Sequence, residues 1–206
     1  MVLTMLEICE IFSSIQGEGW RQGIPAIFIR FSNCNLKCEF CDTPQAFTKK
    51  LVMTEENIVQ TVKKMSQKYP GIVNVVITGG EPYLQDFSKL AVMLKRERFF
   101  VSVETNGTIW RKIPVDWICV SPKLQAEKFI KKGYDARFSR IASEFKYVIT
   151  RKSDIAFVDK NISQVVILQP VNNNLKIGRM IYNEMKKIGM PNWFLRFQQH
   201  KLLKIK

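Results

Sequence analysis

Val73-Asn74-Val75-Val76-Ile77-Thr78-Gly79-Gly80-Glu81-Pro82 is the stretch that decides the architecture. Residues 73–78 are almost continuously apolar and β-branched, the pattern of a strand buried on both faces in a parallel sheet. The polar Gly-Gly-Glu-Pro that follows marks the C-terminal end of that strand as special. Runs of the same character recur at residues 25–31, 99–104, 115–120, 145–150, 165–169 and 193–197. Helical signals lie between several of them. Thr54 caps a helix over 55–69 that carries Ile58, Val62 and Met65 on one face and stops at Pro70-Gly71. Asp86 begins another with Leu90, Met93 and Leu94, and 175–188 places Ile177, Ile181, Met185 and Ile188 on one stripe before Gly189. Strands alternating with helices predict an α/β fold. A full eight-stranded barrel takes about 250 residues, so a chain of 206 predicts a shortened, partly open parallel (β/α) barrel of about six strands. No repeat or linker interrupts it, so 1–206 reads as a single domain.

The unusual polar sequences all follow strands: Arg30 to Cys34, Thr78 to Pro82, Glu104 to Thr108, Ser121-Pro122-Lys123 and Gln169-Pro170. In parallel α/β sheets the C-terminal strand ends are where sites are built, because the loops converge there. The site is expected on that edge.

Composition bounds the function. Hydrophobic residues at 46% and charged residues at 24% exclude intrinsic disorder and collagen-like repeats. No apolar run approaches the ~20 residues of a membrane helix. Met1-Val2-Leu3-Thr4-Met5-Leu6-Glu7 lacks a basic segment followed by an apolar one. A cytoplasmic protein without a membrane partner is expected. The 32 Lys and Arg against 18 Asp and Glu give +14, which raises nucleic acid as a partner. The basic pairs Lys49-Lys50, Lys63-Lys64, Lys131-Lys132 and Lys186-Lys187 are scattered, however, and not interleaved with aromatics. A solvated positive surface, or a footprint for an acidic protein, is expected over stable nucleic-acid binding.

Cys34-Asn35-Leu36-Lys37-Cys38-Glu39-Phe40-Cys41 spaces three of the five cysteines as C-x3-C-x2-C. An odd count without a secretory signal argues against a disulfide framework. Zinc would want a fourth ligand from Cys9, Cys119 or His200, and a zinc or nucleic-acid-binding module is the reading from another class. Three thiolates suit a [4Fe–4S] cluster with one iron open to a substrate or cofactor.

C-x3-C-x2-C after the first strand, an aromatic before the last cysteine and Gly-Gly-Glu-Pro after the next strand together resemble the radical S-adenosylmethionine enzymes. The resemblance narrows with Ile15-Gln16-Gly17-Glu18-Gly19, residues 25–30, Cys41-Asp42-Thr43 and Gln199-His200-Lys201. These are similar to the 7-carboxy-7-deazaguanine synthase family of queuosine biosynthesis, and the pattern runs over nearly the whole chain. The resemblance implies conversion of 6-carboxy-5,6,7,8-tetrahydropterin to 7-carboxy-7-deazaguanine with loss of ammonia. The implied cofactors are a [4Fe–4S] cluster on Cys34, Cys38 and Cys41, S-adenosylmethionine cleaved to a 5′-deoxyadenosyl radical, and Mg²⁺ on Thr43. It implies that Phe40, Cys41, Asp42, Gly80, Glu81, Ser121, Pro122, Lys123, Gln169, Pro170, Val171 and Asn172 hold S-adenosylmethionine, with Gly80 and Glu81 at its ammonium. Ile15, Gln16, Gly17, Arg30, Thr78 and His200 would hold the pterin. It further implies a homodimer and an acidic electron donor such as flavodoxin or ferredoxin. Gln16 can pair with the guanine-like pterin edge and Arg30 can take a carboxylate in bidentate fashion. Glycyl-radical activating enzymes share the cysteine spacing, but Gln16 to Gly19 and Cys41-Asp42-Thr43 favour the synthase. Where many members carry a Gly- and Pro-containing tail, this sequence reads Leu202-Leu203-Lys204-Ile205-Lys206.

Overall fold

The computed structural model describes residues 5–128 and 130–206; the first four residues of the stretch read above for an export signal lie outside them. The strands are β1 (Met5–Ile15), β2 (Pro25–Phe31), β3 (Leu51–Thr54), β4 (Asn74–Gly79), β5 (Phe100–Thr105), β6 (Trp117–Val120), β7 (Glu144–Ile149), β8 (Val165–Pro170) and β9 (Trp193–Leu195). They form one sheet in the order β3-β1-β2-β4-β5-β6-β7-β8-β9. Its two ends, β3 and β9, do not pair, so the barrel is open. Strand β2 and strands β4 to β9 run parallel, while β1 is antiparallel to both β2 and β3. Seven parallel strands and an antiparallel edge pair thus stand where about six strands were expected.

The helices are α1 (Glu55–Lys68), α2 (Ser88–Arg96), α3 (Phe138–Ile141), α4 (Leu175–Ile188) and α5 (Gln199–Leu203). Thr54 accepts from the backbone N–H of Asn57 at 3.2 Å, a cap worth about 1 kcal/mol. Asn174 accepts from Lys176 and Ile177 at the start of α4, and Gly189 ends that helix at φ 70°, a conformation that suits glycine. Helix α2 begins two residues later than the sequence suggests, with Asp86 accepting from the N–H of Ser88 at 3.0 Å. Between β5 and β7 no long helix covers the sheet among the described residues. Trp110, Tyr83 and Phe138 do so, with ring centroids 5.1 and 5.5 Å apart.

Alternation along the strands separates two environments. Ile27, Ile29, Val75, Ile77, Val101, Val103, Phe145, Tyr147, Val166 and Leu168 are buried in the core shared with the helices. The alternate positions face the hollow of the sheet. Phe12, Ala26, Phe28 and Val76 form a small apolar cluster there. The β1–β2 loop folds under this hollow at the N-terminal strand ends: Trp20 donates to Glu144 at 2.6 Å and Arg21 to Asn74 at 2.7 Å. Among the described residues no helix is long and apolar enough to cross a membrane.

Candidate active site

A cavity of about 280 Å³ opens at the C-terminal strand ends and reaches down to the β1–β2 loop. Its rim is the loop after β2, where Cys34, Cys38 and Cys41 all line the cavity. The loop is anchored by the glycine pair after β4. Gly80 N donates to Phe31 O at 3.0 Å and Glu81 N to Asn33 O at 2.8 Å. A Cβ on Gly79 would lie 2.2 Å from the carbonyl oxygen of Phe31, and one on Gly80 1.8 Å from that of Asn33. These glycines are therefore required by the approach of the chain to its own cysteine loop.

Glu81 takes a different part from the one expected. It is wholly buried and does not line the cavity. Its carboxylate accepts from Tyr83 N at 2.9 Å, Thr105 Oγ1 at 2.7 Å and Asn106 N at 2.6 Å. Burial pushes its pKa up to about 7 despite those donors. It ties the end of β5 to the glycine turn instead of facing a ligand. Pro122 and Pro170 likewise stand outside the cavity lining.

The remaining expected residues, Ile15, Gln16, Gly17, Arg30, Phe40, Asp42, Thr43, Thr78, Gly80, Ser121, Lys123, Gln169, Val171, Asn172 and His200, all line it. On one side, Lys123 donates to Ser121 Oγ at 2.6 Å, with burial lowering its pKa, and Gln169 leaves its amide oxygen buried without a partner. An orphaned acceptor on a cavity wall is costly unless a ligand donates to it. On the floor, Gln16 donates to Glu104 Oε1 at 2.7 Å. Gly17 lies so close to His200 that a Cβ would fall 1.9 Å from its Nδ1. Gln199 N also donates to Gly17 O at 2.8 Å, so the C-terminal segment closes over the β1–β2 loop.

Three further residues, Glu18, Glu104 and Lys146, join this floor into one network. Lys146, 4% exposed, contacts Glu18 and lies 2.7 Å from Glu104 Oε2. Gln198 donates to Glu18 at 2.6 Å and to Asp42 at 3.1 Å, and Lys201 lies 3.2 Å from Asp42. Burial would raise Glu18, yet Lys146 holds it below the ordinary value; burial would lower Lys146, yet Glu104 and Glu18 hold it well above. Asp42 resists burial in the same way, held at about 2 by Lys201 and Thr43. Thr43 Oγ1 sits 3.1 Å from Asp42 Oδ1 and 3.4 Å from Arg30, so an oxygen pair that could take a hard cation lies beside the cysteine loop.

The donor set fits a [4Fe–4S] cluster. Three cysteines share one loop; Leu36 N points at Cys34 Sγ from 3.4 Å and Asn106 Nδ2 from 4.0 Å. Burial lifts the Cys34 thiol to about 11, and ligation to iron removes that proton. Cys9 and Cys119, offered above as fourth zinc ligands, are buried away from the cavity. The orphaned Gln169 oxygen, the half-buried Lys123 and the Gly80 turn line the wall beside the cysteine loop.

Comparison with known proteins agrees. The Radical SAM superfamily matches residues 28–136. A 7-carboxy-7-deazaguanine synthase of Bacteroides thetaiotaomicron is 38% identical over 98% of this chain and 100% of its own length. One of Escherichia coli is 31% identical over 96% of this chain and 98% of that protein. The crystal structure of QueE from Escherichia coli superposes with a TM-score of 0.78 at 29% identity, covering 95% of each chain. The chain belongs to the 7-carboxy-7-deazaguanine synthase family of the radical SAM superfamily.

Proposed function

We propose that this chain converts 6-carboxy-5,6,7,8-tetrahydropterin to 7-carboxy-7-deazaguanine with loss of ammonia, as a step toward queuosine. One observation carries the reading. A single cavity holds the three cysteines on its rim and, on its floor, the Gln16–Glu104 pair with Arg30. When bound, the cluster and S-adenosylmethionine supply one electron and a carbon radical able to take a hydrogen atom from substrate. The chain itself supplies position. The Glu104 and Glu18 carboxylates accept from the ring and amino N–H groups of the pterin, and Gln16 matches the adjacent donor and acceptor. Lys146 offsets one of the two negative charges of that floor, which lets two carboxylates share a half-buried site. Arg30 faces the substrate carboxylate, and Thr43 with Asp42 offers Mg²⁺ two oxygens beside it, the rest of the shell coming from substrate and water. His200 and Gln198 close the cavity and exclude water.

The reading extends to setting and partners: a cytoplasmic enzyme, a homodimer, reduced by an acidic donor protein drawn to the basic surface. The test is product analysis after anaerobic reduction of the reconstituted protein with S-adenosylmethionine, Mg²⁺ and the carboxypterin. Formation of 7-carboxy-7-deazaguanine and ammonia is expected. Cleavage of S-adenosylmethionine with the carboxypterin left intact would overturn the assignment.

A further inference from the structure

Strand β1 carries a bulge. Ile8 pairs with Phe31 and Glu10 with Arg30, so Cys9 is an extra residue on the β1 side. A bulge re-aims the side chains beyond it. Ile8 packs in the core against the helices, whereas Phe12 belongs to the inner cluster. Glu10 turns to the same side as Arg30 and accepts from its Nε at 2.9 Å.

The other oxygen of Glu10 holds Lys206, whose Nζ lies 2.5 Å away. Lys206 Nζ also stands 4.5 Å from the centroid of the Phe12 ring, and its carbonyl accepts from Ser14 Oγ. Three alternate positions of β1, Glu10, Phe12 and Ser14, therefore fasten Lys206 by an ion pair, a cation–π contact and a hydrogen bond. Arg30 and Lys206 both line the cavity and Glu10 does not. One carboxylate side chain set behind two cationic side chains leaves one positive side-chain charge in excess at the cavity wall.

We propose that Glu10 is a positioning residue that presents Arg30 and Lys206 as a paired cationic subsite, and that Lys206 selects carboxylated over uncarboxylated pterins. The proposal rests on the carboxypterin reading above and adds to it a residue of the C-terminal segment. With its Nε engaged by Glu10 and its Nη1 by Thr43 Oγ1 at 3.4 Å, Arg30 keeps Nη2 for the ligand. Lys206, ordered by Phe12 and Glu10 before substrate arrives, loses little further freedom on binding.

The experiment uses the reconstituted holoenzyme and compares wild type, Lys206→Met, Lys206→Arg, Glu10→Gln and, as a control, Lys204→Met, which is exposed and off the cavity wall. KM and kcat are measured for the carboxypterin, and equilibrium binding is measured for it and for the tetrahydropterin lacking the 6-carboxylate. Loss of one charge-assisted contact is expected to raise KM and weaken carboxypterin binding about tenfold. Binding of the uncarboxylated analogue should barely change. Lys206→Arg should recover most of the selectivity, Glu10→Gln should raise KM beyond any fall in kcat, and Lys204→Met should match wild type. Unchanged selectivity in Lys206→Met, with wild type making product normally, overturns this inference and leaves the proposed function standing. Failure of wild type to bind the carboxypterin overturns both.

Discussion

Replacing Lys146 by Met tests the charge balance of the cavity floor. The Met stem nearly fills the space of the lysine stem but carries no charge. Lys146 is 4% exposed and contacts Glu18 and Glu104, so the substitution leaves two half-buried carboxylates without their shared counter-charge. Removing one partner from a buried ion pair costs about 3–5 kcal/mol. Gln198 still donates to Glu18 and Gln16 to Glu104, which places the expected loss near the lower end, about 3 kcal/mol. For a chain of this size each kcal/mol moves Tm by about 2–4 °C, so a fall of about 6–12 °C is expected near neutral pH.

The loss carries a pH signature. In the wild type, Lys146 is held well above its ordinary 10.5 and Glu18 below 4.5. The lysine's contribution is complete below 10.5 and goes only in stronger alkali; the glutamate's is complete above 4.5 and goes as acid protonates it through its lowered pKa. Between those values the pair stabilises the fold evenly. Without the lysine, burial dominates Glu18 and raises it, so its sign reverses: stability survives in acid and drains away as pH rises. The deficit of Lys146→Met against wild type should therefore be small near pH 5 and full near pH 8, read by urea denaturation of the apoprotein. A deficit below about 1 kcal/mol, or one equal at both pH values, would show that the lysine is not the counter-charge of the floor.

Further outcomes follow from the rim and the surface. Cys34→Ala, Cys38→Ala and Cys41→Ala should each lose cluster iron and cleavage of S-adenosylmethionine, whereas Cys9→Ala and Cys119→Ala keep both; full iron in Cys38→Ala would refute the ligand set. Thr43→Val should keep its cluster and lose the stimulation of product formation by Mg²⁺, and a retained metal response would place the ion elsewhere. Gly80→Ala, with its Cβ driven onto a backbone oxygen, should displace the cysteine loop and weaken S-adenosylmethionine binding in equilibrium dialysis; wild-type affinity would contradict the close approach. Turnover with an acidic protein donor should fall steeply between 0.1 and 1 M salt, as the Debye length shrinks from about 10 to 3 Å, while turnover with a small chemical reductant changes little. Equal salt responses would remove the steering argument.

Much of this was legible in the sequence because parallel strands buried on both faces write themselves as apolar runs, as 73–78 does, and because three cysteines cannot share so short a loop by accident of packing. Strand β1 escaped notice for the opposite reason. It is an edge partner with one face on the inner cavity, and Glu7, Glu10, Ser13 and Ser14 break its apolar run. Nothing local to Glu18 shows that its loop folds under the sheet, so its sequence neighbours do not disclose its partners. Glu104 and Lys146 were legible in principle: Glu104 is the one charge of β5 and Lys146 shares β7 only with Glu144, both in strands of mostly buried residues, and a charge so placed is sustained only by a partner. Glu81 is the part of its motif whose burial the sequence does not announce. The glycines and the glutamate of Gly-Gly-Glu-Pro anchor the chain's own cysteine loop and the end of β5, and Gly79 and Gly80 also line the cavity.

The net charge of +14 divides along the same inner and outer faces. The cavity carries Arg30, Lys123, Lys146, Lys201 and Lys206 against Glu18, Asp42 and Glu104, so the site accounts for only a small part of the excess. Within the cavity the acids are matched: Lys146 meets Glu18 and Glu104, Lys201 meets Asp42, and Glu10 stands behind Arg30 and Lys206. Pairs as deep as Lys146 and its carboxylates lie out of reach of the ionic atmosphere, and salt leaves them nearly untouched. The unmatched charge is on the outside, where screening is effective and where the only thing it can alter is encounter. On the proposed function, chemistry and electron delivery draw on two separate populations of lysine. That separation is why a salt series can dissect them: on the proposed function the inner set holds the carboxypterin, and the outer set decides how often a reduced partner arrives.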